Sequence, residues 1–122
     1  MSKMNVFQYA ATCERKFELI LEDIGTYRRK TTFYSDLSIA EFYGAKSVID
    51  TFRNVMKHWL NDITYITEFV LCLNHKSWEW HSNGDEAMTA MYIDLYEKAA
   101  DKVLEHYKDN KEALDYYYKT TD

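Results

Sequence analysis

Residues 47–81 read SVIDTFRNVMKHWLNDITYITEFVLCLNHKSWEWH. Within this stretch Val48, Phe52, Val55, Trp59, Ile63, Ile66, Val70 and Leu73 follow one another at intervals of three and four. Side chains so spaced share one face of an α-helix. No proline interrupts the run, and none of the 122 residues is a proline. The pattern predicts one long central helix over 47–81. Asn61-Asp62 is a place where it could bend, but nothing local demands a break.

Toward the C-terminus, Ser82-Asn83-Gly84 has the composition of a turn. Asp85 is placed to cap a helix over 85–108, whose stripe is Met88, Met91, Tyr92, Leu95, Ala99, Val103 and Tyr107. Asp109 with Glu112 resembles a capped start for a short helix over 110–119, which carries Leu114 and the run Tyr116-Tyr117-Tyr118. Toward the N-terminus, Ser38 with Glu41 forms a capping box for a short helix over 38–43 that Gly44 would end. Ser47 with Asp50 opens the central helix, and Thr31 to Leu37, without helical rhythm, reads as loop. Val6, Ala10, Cys13, Phe17, Leu21 and Ile24 predict a first helix over 5–29. Three glycines and no proline leave little of the turn chemistry that sheets need. Amphipathic helices of this size must also bury their stripes to be stable. The expected fold is therefore all-α, a single-domain helical bundle over 1–122 with three substantial helices and two short ones.

The formal net charge is −5, with 15 basic and 20 acidic side chains. The acidity is concentrated at one end: residues 83–122 carry five basic and ten acidic groups. A solvated helix face accounts for this, and the sharper reading is an acidic surface that meets a basic partner. Cys13 and Cys72 sit in apolar runs, as buried thiols of a reducing compartment do. No leader with a basic start and an apolar core is read, and the longest apolar stretch, Phe69 to Leu73, is too short to span a bilayer. The expected setting is the cytoplasm, with no membrane partner.

Chemistry is sparse. His75 and Glu79, four apart, can share a helix face, but His81 points elsewhere and a metal site needs three or four convergent ligands. His58 and His106 could join only through the tertiary fold. Both cysteines sit beside apolar neighbours at helical spacing, which favours an inert buried thiol over an activated one, no serine lies in a glycine-flanked elbow, and the glycines stand isolated at 25, 44 and 84. No catalytic residue, metal or cofactor is expected, and the chain reads as a non-enzyme.

Two binding readings remain. Aromatic residues make up 16% of the chain. Trp78 and Trp80 are two apart, and Tyr116, Tyr117 and Tyr118 are consecutive, so one helix face cannot bury them all. These five are the candidate interface of a protein that self-associates or binds a protein partner. The alternative is a DNA-binding regulator. Residues 38–54 look like a helix-turn-helix, with Ala40 in the first helix and Gly44 at the corner. Lys46, Thr51, Arg53 and Asn54 would face a groove, and Arg28, Arg29 and Lys30 would add backbone contacts. Against it, Asp50 and Arg53 occupy positions where the second helix of that motif is apolar, and the chain lacks a basic excess.

Thr32 to Tyr43, the tract from Trp59 to Trp78 and the ending Ala113 to Asp122 together resemble a family of small uncharacterised all-helical proteins encoded in gut Bacteroidales genomes, often on mobile elements. The resemblance covers nearly the whole chain and rests on texture, with no catalytic motif. It implies a bacterial cytosolic setting and an accessory role linked to mobile elements, and it carries no residue role.

Overall fold

The computed structural model of the chain describes residues 32–122. The helix expected over 5–29, Cys13 and the Arg28-Arg29-Lys30 cluster lie outside the described residues. Five helices follow in order: α1 Phe33–Tyr43, α2 Ala45–Trp59, α3 Ile63–Ser82, α4 Glu86–His106 and α5 Lys111–Thr121. No strand occurs among the described residues, so the all-α class holds. No helix among them is long and apolar enough to cross a membrane. The chain divides into two compact units, Met1–Asn54 and Val55–Asp122, and the boundary falls within α2.

In the first unit, α1 begins one turn earlier than the expected 38–43. Thr32 is extended and its Oγ1 accepts from the amide of Ser35 at 3.1 Å. Asp36 in the first turn adds a favourable charge at the helix N-terminus. Residues 33–37 of the segment expected as loop are thus helical, because Phe33, Leu37 and Ala40 form a buried stripe at spacings of four and three. Ser38 lies inside the helix instead of capping it. Gly44 ends α1 as expected. Its φ of 109° and ψ of 174° fall in a region that only glycine occupies at low cost. Its carbonyl then accepts from Ser47 at 3.1 Å and Val48 at 3.3 Å, so α2 starts at once, two residues before the expected Ser47.

The long helix expected over 47–81 is two helices. α2 stops at Trp59 and α3 starts at Ile63. Asp62 is extended, and its Oδ1 accepts from the amide of Tyr65 at 3.1 Å, an N-cap in mid-stripe. The Tyr107 hydroxyl donates to the Leu60 carbonyl at 2.6 Å, and the Trp59 and Tyr65 rings lie 4.6 Å apart across the turn. The break costs little because both sides of it are bonded. Hydrophobic spacing missed it because the stripe resumes in phase at Ile66, Val70 and Leu73.

The turn from α3 to α4 matches its sequence. Gly84 takes φ 77°, its amide donates to His81, and the Asp85 amide donates to Trp80, the paired bonds of a Schellman end. Asp85 Oδ1 then accepts from the Met88 amide at 3.0 Å. α3 packs along α4 and against α5. Phe69, Val70 and Leu73 of α3 and Tyr92, Leu95, Ala99 and Val103 of α4 are buried. The cap of α5 is Asn110, which accepts from the Ala113 amide at 3.1 Å, one residue after the expected Asp109. Ala113 and Tyr117, four apart, are the buried pair of α5.

Burial pushes the Tyr107 phenol up, and the nearby Asp62 carboxylate adds to the shift. Burial pushes Tyr117 up to about 12, helped by Tyr96, Tyr118 and Asp101. Both groups therefore stay protonated in the folded chain at a pH where the unfolded chain ionises. Their stabilising contribution is complete below the ordinary tyrosine value of 10.0 and is lost as pH rises through the folded values. Denaturant midpoints should fall between pH 10 and about 12, and Tyr117→Phe should flatten that decline. Replacing Tyr107 by Phe removes one hydrogen bond and should cost about 1 kcal/mol at neutral pH, read by urea denaturation.

Candidate interaction groove

The outer flanks of α3 and α4 frame an apolar groove within the second unit. On α3, Asn74, Trp78 and His81 recur at four and three; on α4, Thr89, Ile93 and Glu97 recur at four. These rows lie beside the buried stripes of the two helices, so the packing that forms the core also sets the groove walls. The main cleft has a volume of about 380 Å³. A second, of about 290 Å³, shares His81, Thr89 and Ile93 with it and extends to Asp85 and Glu86 at the start of α4. Trp78 is 64% exposed and Ile93 44%. The Trp78 and His81 rings meet edge to face at 6.2 Å.

Helix chemistry holds this face in place. The Ser82 hydroxyl donates to the Trp78 carbonyl at 2.9 Å, and Ser77 donates to Asn74 at 2.6 Å. Asp85, Glu86 and Glu97 line the two clefts, and no lysine or arginine does. On the other flank of α4, Lys98 is occupied with Asp94 at 2.8 Å.

The five expected interface aromatics are not brought together. Trp78 is the exposed one on the groove, and Trp80 is half-buried. Tyr116, 39% exposed, lines a separate cleft with Ile63 and Asn110, and Tyr118 is also exposed. Tyr117 is 4% exposed and belongs to the core, since only one of three consecutive helical residues can face inward. Sequence reasoning missed Thr89, Ile93, Tyr96 and Glu97. Their spacing of four, three and one is a helical row, but it lies next to the stronger stripe of Tyr92, Leu95 and Ala99.

The residues of the DNA-binding alternative are divided. Lys46 and Arg53 are exposed. Thr51 is fully buried and its hydroxyl donates to the Ser47 carbonyl at 2.9 Å. Asn54 is half-buried and donates to the Asp50 carbonyl at 2.8 Å. Neither Thr51 nor Asn54 is therefore offered to a groove. The corner itself has Gly44 as its one non-helical residue, where a helix-turn-helix has a turn of about three or four.

The candidate metal residues do not converge. His75 and His81 are exposed, and the Glu79 carboxylate lies 3.6 Å from the amine of the buried Lys76. Among the described residues no group of three or more His, Cys, Asp or Glu side chains is arranged to hold a metal ion. Cys72 is half-buried. No protein-family profile matches the sequence, no curated protein matches it, and no solved structure matches the fold.

Proposed function

We propose that this chain is a non-enzymatic interaction protein that binds a protein partner, or a second copy of itself, through the Trp78–Ile93 groove. The observation that carries this reading is a tryptophan 64% exposed beside an exposed isoleucine over a preformed cleft. At about 25 cal/mol per Å², covering the exposed part of one tryptophan returns roughly 3 kcal/mol, enough to anchor an interface. A bacterial cytoplasmic setting and an accessory role linked to mobile elements belong to the same reading and rest on the resemblance of the tracts described above. Solution scattering and affinity capture from a bacterial host test it. A second copy or a recurrent partner should be bound by the wild-type chain and lost from Trp78→Ala combined with Ile93→Ala, with the thermal midpoint unchanged. A monomer whose captured proteins are the same with and without the two side chains would overturn it.

A second reading, nucleic-acid binding, is favoured by one observation. Lys46 and Arg53, seven apart, are exposed on one face of α2, and among the described residues neither is in an ion pair. A gel-shift titration at low and moderate salt decides it. Binding that Lys46→Ala with Arg53→Ala weakens would support a phosphate contact, and no complex even at low salt would end the reading, since non-specific binding appears there first.

A further inference from the structure

Resting on the interaction reading, we infer that the occupant of the groove is a cationic amphipathic helix of a partner protein, with aliphatic anchors one turn apart and lysine or arginine beside them. Three observations define this occupant. The groove runs between two helices joined by the short turn 83–85, so its walls are ridges of side chains. Residues 74–81 and 89–97 of the walls lie inside helices, so their backbone groups are bonded within the helices and offer no sheet edge for an extended peptide to join. A helix laid into the groove instead needs only a row of side chains to interdigitate.

The floor selects apolar anchors. Trp78 and Ile93 stand exposed over about 380 Å³ of cleft, room for more than one aliphatic side chain. The rim selects charge. Asp85, Glu86 and Glu97 line the joined clefts without a lysine or arginine among the lining residues. Among the described residues neither Glu86 nor Glu97 is in an ion pair. Residues 83–122 as a whole carry twice as many acidic as basic groups. A second copy docking the same face in a two-fold dimer would bring one Asp85, Glu86 and Glu97 rim toward the other, and like charges so placed oppose association. A basic partner meets the same carboxylates as attraction.

The probes are synthetic peptides of about 18 residues, long enough for roughly five helical turns. One has a leucine row flanked by lysines, one replaces the lysines by glutamates, and one scrambles the leucine–lysine sequence. Each is titrated into the full chain by calorimetry and tryptophan fluorescence. The leucine–lysine peptide should bind about tenfold or more tighter than the other two, and shift tryptophan emission to the blue. Trp78→Ser with Ile93→Ser should weaken it about tenfold or more. Glu86→Gln with Glu97→Gln should weaken it about fivefold at low salt, and that difference should shrink near 0.5 M salt, where the Debye length falls to only a few Å. Circular dichroism confirms that these surface variants remain folded.

Equal binding of the scrambled peptide, or no effect of the glutamine pair, overturns the inference. Equal binding of the leucine–glutamate peptide also overturns the inference, since the occupant it names is cationic, and only the interaction reading survives. If no peptide binds but the Trp78 and Ile93 substitutions abolish partner capture, the inference fails and the interaction reading survives. If those substitutions instead dissolve a dimer, the occupant is a second copy and the inference is overturned.

Discussion

The hydroxyl of Tyr107 closes on a carbonyl 47 residues earlier in the chain, and the second unit is organised around that bond. Any helix break orphans carbonyls on one side and amides on the other. Here the amide side is served by Asp62 and the Leu60 carbonyl by Tyr107. Because Tyr107 is the last residue of the α4 stripe, the bond returns the end of α4 to the start of α3. Helices of 20 and 21 residues, each about 30 Å long, are thereby matched end to end. The groove lies toward the other end, near the 83–85 turn, and its walls are aligned by this pairing.

Much of this was legible because it is local. The α3 and α4 stripes, the glycine ending α1 and the aspartate opening α4 each depend on residues within a turn of one another. The break at 60–62 was not legible, because its stabilising hydroxyl comes from a distant helix and the stripe resumes in phase beyond it. The start of α1 was hidden because Thr32 caps through Ser35, without the acidic partner that marked Ser38 and Glu41. At the start of α5, Asp109 and Asn110 are both good caps, and pattern alone does not choose between them.

The candidate site was half legible. The conflict between Trp78 and Trp80 placed an exposed indole on α3, and the groove is built beside it. Its facing wall was not legible, since Ile93 falls outside the α4 stripe of Tyr92, Leu95 and Ala99 and a lone apolar residue beside a stripe carries no signal of its own. The tyrosine run posed the right conflict with no stated winner, although Ala113 four residues before Tyr117 marks the inward face. The two phenols with raised pKa values serve packing, Tyr107 at the turn and Tyr117 in the core. The features that offer binding are exposed side chains held by rigid helices.

Asp85 belongs to two helices at once: its amide bonds back to Trp80 at the end of α3, and its carboxylate holds the Met88 amide at the start of α4. The two ends therefore share one residue. Moving Asp85 disturbs the last turn of α3 and the first turn of α4 at once, on the His81 and Glu86 sides of the groove mouth.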